Sequence, residues 1–305
     1  MPRTIPEPPF ELSALIPEFA DLARETTLLY PRSGNPGVEQ SSMGGPLLWP
    51  ADEPWPYCDQ PGHWTCGPGS SAWEKVTPET VPMVPVIQLF ARDVPGLSFP
   101  PGKDVVQLVW CALLHEQDPA GVVLPRMYWR NEAETVAAGL LGDAPAPDEG
   151  EYDEDLIPRP CTVCPTPAVE YPQRDLPEGL LQALLPRLEE LEERYGFWYS
   201  EVACALQNKV GGYPAWTQSP DWPHCSQGHR MEHLFSITGE VAYGRWLPLD
   251  EHRPGTAQPI WDAPADPEIF DAIGPELEIG DAGGLYVFLC RRCPDLPYAH
   301  RSDCH

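Results

Sequence analysis

The sequence has few basic residues: 19 Lys and Arg stand against 46 Asp and Glu, which gives 305 residues a formal net charge of −27 at pH 7. A field of this sign repels a phosphate backbone, and no local basic patch offsets it, so the charge argues against nucleic-acid binding. The same field attracts a basic protein or peptide. An alternative interpretation is that the acidic excess serves solubility alone, or adaptation to a salty cytoplasm.

Long hydrophobic runs are also missing. No apolar stretch approaches the roughly 20 residues that a membrane span needs, and the N-terminus has no signal-peptide core. We therefore expect a cytoplasmic protein that does not enter a membrane. In that setting the ten cysteines are expected to be metal ligands and buried thiols before disulfides.

The sequence lacks the common catalytic motifs. It has no Gly-x-Ser-x-Gly elbow, no phosphate-binding glycine loop before a helix and no dinucleotide fingerprint. Leu114-His115-Glu116 lacks the second histidine of a zinc-protease helix. No motif therefore supports enzymatic activity, although a zinc- or thiol-dependent enzyme stays open as the alternative function.

Proline is abundant, with 41 copies beside 25 Gly, and it occurs among 11 Trp and 11 Tyr. The aromatic content argues against disorder, whereas proline interrupts helices and interior strands. We expect short strands, many turns and irregular loops.

One stretch of the sequence occurs twice. Residues 44–63 read GGPLLWPADEPWPYCDQPGH, and residues 211–229 read GGYPAWTQSPDWPHCSQGH. Both contain a Gly-Gly pair, a Trp-Pro-aromatic-Cys run and a final Gly-His in the same order. This order indicates an internal duplication. It predicts a first repeat at 1–130, an acidic proline-rich linker at 131–174 and a second repeat at 175–305.

The hydrophobic pattern predicts a helix near the start of each repeat. Apolar positions between Phe10 and Tyr30 have a helical period that includes Pro17, and the second helix has Asp175 as its N-cap. Runs of β-branched and aromatic residues predict strands at 83–91, 104–115, 121–129 and 283–290. The predicted fold class is α+β and β-rich, with two pseudo-symmetric halves that each have an N-terminal helix and a small antiparallel sheet stapled by zinc.

Closely spaced Cys and His pairs occur at four matching places, after each Trp-Pro run and at one strand end in each repeat. Two such pairs, separated by dozens of residues, are what a tetrahedral zinc site requires. We predict two structural zinc ions, one in a Cys2His2 site and one in a Cys3His site. The predicted ligands are Cys58, His63, Cys111, His115, Cys225, His229, Cys290 and Cys293. The alternative is that these are ordinary buried cysteines and loop histidines.

The fourth ligand of the second site is open at this point, because other donors lie near it in the sequence: His224, His300, Cys304 and His305. Cys161 and Cys164 have no counterpart in the repeat. They could form a thiol pair, or half of a third metal site with Cys66 or Cys204, or have no special role, and the last interpretation is favoured.

Four tryptophans belong to the repeated stretch: Trp49, Trp55, Trp216 and Trp222. Core packing around the metal loops is the favoured interpretation. Alternatively, exposed aromatic side chains beside proline form a binding groove for an extended peptide, in which they would be the anchors.

Two motifs resemble the bacterial YwqG-like family. The first combines Gly211-Gly212, Pro214 and Trp216 with a following run of Cys225, His229, Met231, Leu234, Phe235 and Ile237. The second is residues 280–288 with Cys290 and Cys293. The family is similar in turn to eukaryotic zinc proteins of the programmed-cell-death-2 type. The resemblance covers most of the chain outside the acidic linker.

This resemblance implies an internally duplicated, β-rich binding protein. The eukaryotic relatives act as chaperones for a small-subunit ribosomal protein, and some bacterial members lie near toxin genes, which implies immunity-type binding. We therefore expect a non-enzymatic module that binds a basic client. The sequence lacks the additional inserted zinc finger of many eukaryotic members, so the ribosomal client does not transfer directly.

Overall fold

The computed structural model describes residues 2–8, 11–66, 73–78, 80–115, 123–149, 151–252, 273–280 and 283–303. The strands in chain order are β1 (Arg24–Leu28), β2 (Arg32–Ser33), β3 (Ser42–Met43), β4 (Tyr57–Cys58), β5 (His63–Cys66), β6 (Trp73–Val76), β7 (Val81–Pro82), β8 (Val84–Phe90), β9 (Val105–Trp110), β10 (Leu114–His115), β11 (Pro125–Arg130), β12 (Cys161–Thr162), β13 (Thr166–Glu170), β14 (Lys209–Gly211), β15 (Glu232–Ile237), β16 (Gly284–Leu289) and β17 (Tyr298–Asp303).

The α-helices are few and mostly short: α1 (Leu12–Leu15), α2 (Glu132–Ala137), α3 (Glu178–Tyr195) and α4 (Tyr199–Ala203). Short 3-10 helices occupy Pro17–Leu22, Glu154–Leu156, Gly244–Trp246 and Leu249–Glu251. The prediction of a β-rich chain is confirmed. Among the described residues, no helix is both long enough and apolar enough to cross a membrane.

Two six-stranded antiparallel sheets form the body of the protein. Sheet A has the order β13-β1-β14-β15-β16-β17, and sheet B has the order β11-β9-β8-β3-β12-β2. Their facing sides share one hydrophobic cluster, with Val86 and Leu108 from sheet B packed among Phe235 and Val287 from sheet A. Two smaller sheets, β10-β5-β6 and β4-β7, lie beside this body.

The long helix α3 packs against segments that flank strands of sheet A, before β1 and after β13 and β14. Its buried side chains Leu184, Leu188 and Leu191 pack in one cluster with Phe19 and Tyr213. The helix continues through Pro186 and ends at Tyr195, and its C-cap Gly196 has a left-handed φ of 72°. The predicted N-cap Asp175 lies outside the helix, which has Pro177 as its N-cap. Pro17 separates α1 from the 3-10 helix in the first predicted helical segment, because proline removes a helical hydrogen bond.

Segments 24–33 and 161–170 run antiparallel through both sheets in one constant register. In sheet A the pairs run from Arg24 opposite Glu170 to Leu28 opposite Thr166. In sheet B, Thr162 lies opposite Arg32. Between the sheets, the Cys164 amide donates to the Leu29 carbonyl at 2.6 Å. The region predicted as a linker thus supplies strands β12 and β13, which contain the β-branched residues Thr162, Thr166 and Val169.

Both Gly-Gly pairs contact this ribbon of 24–33 and 161–170 or the residues beside it. Gly44 has a φ of 61°, and a Cβ atom there would clash with the Pro158 carbonyl oxygen. Gly212 has a φ of 66°, and a Cβ atom there would clash with the Glu170 carboxylate. The glycines are therefore needed for a left-handed backbone and for close approach.

Candidate metal centres

The eight predicted ligands form two clusters in the structure. Cys58, His63, Cys111 and His115 make one cluster, and Cys225, His229, Cys290 and Cys293 make the other. In each cluster one candidate ligand atom from every residue lies within 4.8 Å of the others. Most of these side chains are buried; Cys58 and His229 are partly exposed.

Four separate strand ends build the first centre. Cys58 ends β4, His63 begins β5, Cys111 follows β9 directly and His115 ends β10. His63 and His115 are paired across the β5–β10 ladder, with ring centroids 4.6 Å apart. The Cys58 Sγ lies 3.6 Å from the His115 Nε2. The register of these strands therefore places both imidazoles beside the Cys58 thiol.

A tight turn and a strand end build the second centre. The Cys225 amide donates to the His229 carbonyl at 2.9 Å, and the Gly228 amide donates to the Cys225 carbonyl at 2.8 Å. These bonds hold Cys225 and His229 on one side of a short loop. Cys290 follows β16, and its amide donates to the Pro297 carbonyl at 2.8 Å, which folds Cys293 back toward the same point.

The distances between donor atoms match a tetrahedron around zinc. With Zn–S of about 2.3 Å and Zn–N of about 2.0 Å, the S···S edge of a tetrahedron is about 3.8 Å and the S···N edge about 3.5 Å. In the second centre Cys225 Sγ lies 3.8 Å from Cys293 Sγ, and His229 Nδ1 lies 3.7 Å from Cys290 Sγ and 3.5 Å from Cys293 Sγ. These donor separations fit zinc.

The first centre also contains buried histidine ring nitrogens that lack a hydrogen bond within the described structure. His63 Nε2 and His115 Nδ1 are buried and have no hydrogen-bond partner among the residues that the structure describes. The pKa of the Cys58 thiol is lowered to about 3, chiefly by its hydrogen bond with Cys111; burial raises it, and a weaker hydrogen bond with His115 lowers it. The same Cys58 contact, together with burial, raises the pKa of Cys111. A thiolate beside a second thiol can supply two sulfur donors to a divalent cation.

The donor chemistry narrows the type of metal. Thiolate and imidazole ligands in a tetrahedral arrangement are typical of zinc, whereas magnesium and calcium take oxygen ligands. Each cluster supplies four protein donors, which is the full number for a structural site. When bound, zinc would cross-link the loops that carry the four side chains.

The structure describes two of the other candidate donors, His224 and His300. His224 is exposed in a β-bridge with Arg230, and His300 lies on β17 opposite Val287. Cys304 and His305 lie outside the described residues, as does the side chain of Cys66. Among the described residues, neither His224 nor His300 belongs to a metal-type cluster.

Cys161 and Cys164 serve the fold rather than a cluster. The buried Cys161 thiol donates to the Gly274 carbonyl at 3.1 Å, and burial raises its pKa to about 11. Cys164 packs beside Leu28 and Tyr30. Within the described chain, neither thiol is part of a metal-type group.

The four tryptophans of the repeated stretch are part of the core and do not form an accessible groove. Trp49, Trp55 and Trp216 are buried, and Trp222 is half-buried. Trp55 Nε1 donates to the Met83 carbonyl at 2.8 Å, and Trp222 Nε1 donates to Asp175 Oδ2 at 3.0 Å. This burial favours the packing interpretation over the alternative of a binding groove, because buried indoles present little surface to a peptide.

Sequence reasoning missed one buried polar group beside sheet A. Lys209 and Glu170 are fully buried, with Lys209 Nζ 2.7 Å from Glu170 Oε1 and 3.0 Å from the Cys204 Sγ. Glu170 also accepts the backbone amides of Ala205 and Tyr213. No local signal predicts this pair, because its two residues are distant in sequence.

A comparison of the chain with protein-family models and with curated proteins finds no match.

Proposed function

We propose that this chain is an internally duplicated binding protein, stapled by two structural zinc ions, that holds a basic client in the cytoplasm. The single observation that carries the proposal is the pair of closed four-donor clusters. A cluster whose four positions are all filled by side chains leaves none for a catalytic water, so the metal would serve stability. The functional surface would then lie elsewhere on the protein.

Three correspondences support the duplication. The orders of sheets A and B correspond strand by strand, with β14, β15, β16 and β17 in the places of β3, β8, β9 and β11. The ladder between β15 and β16 has an irregularity between His233 and Phe235, and the ladder between β8 and β9 has one between Pro85 and Ile87. Each half also carries one cluster. Equal strand order, equal bulges and equal cluster positions are expected of two copies of one unit.

The overall charge supports a basic client. A net charge of −27 attracts a positively charged partner and raises its association rate. The resemblance to the YwqG-like family and to the programmed-cell-death-2 type points the same way, toward a ribosomal protein held before assembly or a toxin held inactive.

Metal analysis and a binding assay test the proposal together. Purified protein is expected to contain two zinc ions per chain by elemental mass spectrometry. Immobilised protein is expected to retain a basic protein from a lysate of its host. Addition of acidic proteins is not expected to displace this bound protein. Purified protein that contains no metal would contradict the structural role of zinc. Immobilised protein that retains no basic protein would contradict the proposed binding of a basic client.

A further inference from the structure

A cleft of about 960 Å³ lies between sheet A and a turn of the first half. Its floor crosses β13, β1, β14 and β15, and its wall is the turn at residues 95–98. The volume lies at the upper end of the roughly 300–1,000 Å³ found for binding sites. The lining includes Gly211 and Gly212 of the second repeated stretch and none of the eight predicted metal ligands.

The floor combines apolar side chains with one free carboxylate. Val169 of the edge strand β13 is 45 % exposed, and Pro167 lies beside it along the cleft. The Glu25 Oε2 and the Thr27 Oγ1 point toward the wall, within about 4 Å of where a Cβ atom at Gly96 would lie. Within the described part of the chain, the Glu25 carboxylate has no ion-pair or hydrogen-bond partner.

The other charges of the cleft are already engaged. Arg291 pairs with Glu232 at 3.3 Å and donates to the Ser98 carbonyl at 2.8 Å, which joins the wall to the floor at one end. The Arg24 guanidinium stacks on the Tyr213 ring at 4.3 Å, on the other face of sheet A. His233 is buried and donates to the Gly211 carbonyl. Among the described residues, Glu25 is therefore the charged side chain of the lining with no ion pair, hydrogen bond or ring contact.

We propose that this cleft is where the client is held, and that it takes an extended segment with alternating basic and apolar side chains. The inference rests on the proposed function and adds its location. A Lys or Arg of the segment would pair with Glu25, and its apolar neighbours would cover Val169 and Pro167. The sign of the whole protein's charge agrees with this occupant.

The dimensions agree with a short segment. Four neighbouring strands about 4.8 Å apart span about 15 Å, which is the length of four to five extended residues at about 3.3 Å each. A Cβ atom at Gly96 would meet the ends of the Glu25 and Thr27 side chains at ordinary contact distance, so a larger side chain there would enter the cleft.

The test uses the full chain and a fluorescent peptide of alternating Arg and Val, with an alternating Glu and Val peptide as the probe control. Two variants alter the cleft: Gly96→Phe fills it, and Glu25→Arg reverses its free charge. Each has a matched control, Gly96→Ala for size and Glu189→Arg, on the exposed face of α3, for charge. Zinc content and circular dichroism check that the variants fold.

The wild-type protein is expected to bind the Arg/Val peptide and not the Glu/Val peptide. Gly96→Phe and Glu25→Arg are expected to weaken binding at least about tenfold, and both controls to change it less than about twofold. Hydrogen exchange on the wild-type protein gives a second reading: the peptide is expected to slow exchange at residues 95–98 and along β13.

Three results would overturn the inference. Equal affinity in all four variants would place the peptide elsewhere and leave the proposed function standing. An equal loss of peptide affinity in Glu25→Arg and Glu189→Arg would show that the peptide is held by general charge attraction and not by this cleft. If the wild-type protein retains a basic client in the pull-down but does not bind this peptide, the proposed alternation of basic and apolar side chains is wrong and the proposed function stands. If it retains neither, the proposed function is wrong as well.

Discussion

His63 and His115 lie directly opposite each other on β5 and β10, with ring centroids 4.6 Å apart. Successive side chains of a strand point to opposite faces, so a slip of one residue would turn one imidazole away from the Cys58 thiol. The first candidate metal centre therefore depends on strand register. The second centre depends on a tight turn and a strand end.

Replacement of one thiol in a centre should remove its metal and much of its stability. Cys290→Ser is expected to lower the zinc content from two ions to one and the free energy of unfolding by at least about 3 kcal/mol, because three ligands hold zinc poorly. Elemental analysis and chemical denaturation measure both effects.

The matched control is Cys161→Ser, whose hydroxyl can still donate to the Gly274 carbonyl. It should keep both metals and change stability by less than about 1 kcal/mol. A Cys290→Ser protein that keeps its stability but loses an activity would instead indicate a catalytic metal.

Removal of the buried lysine should destabilise the protein strongly. Lys209→Met leaves the Glu170 carboxylate buried without its ion pair, and breaking such a pair costs about 3–5 kcal/mol. The double variant Lys209→Met/Glu170→Gln should recover part of this loss, since no uncompensated charge remains. Additive losses in this double-mutant cycle, measured by denaturant unfolding, would show that the two side chains do not act together.

Acid should weaken the fold through His233. Burial lowers the pKa of His233 to about 3, whereas an unfolded histidine titrates near 6.5. The unfolded chain thus gains a proton first as the pH falls, and the folded state loses stability between pH 6.5 and 3. From pH 7 to 5 this one group should remove about 2 kcal/mol.

His233→Gln should remove that part of the pH dependence while the metal centres keep theirs. The difference between the two proteins in unfolding free energy, followed from pH 7 to 5, isolates the histidine. Parallel curves for the wild type and the variant would contradict the assignment.

Fragments of the chain should fold only together. Segments 24–33 and 161–170 pair with each other and with strands of both large sheets, so a chain divided between residues 145 and 146 separates the partners. Fragments 1–145 and 146–305 should each lack fixed tertiary structure by near-ultraviolet circular dichroism. Co-expressed, they should purify as one complex. Cooperative unfolding of the 1–145 fragment by itself would contradict this expectation.

The sequence by itself determined which side chains gather at the two centres. Each half-site, such as Cys225 and His229, is a short spacing that a local turn fulfils, and the repeat supplies the partner pairs. It also determined the β-rich character, because proline and β-branched residues act locally on the backbone.

Only the tertiary structure decided that segments 24–33 and 161–170 contribute strands to both large sheets and that the motif tryptophans pack into the core. It also decided that Lys209 meets Glu170 and that Glu25 faces a cleft beside Gly96. These contacts join residues distant in sequence, and no local pattern of hydrophobicity or spacing encodes the partner of a strand or of a buried charge.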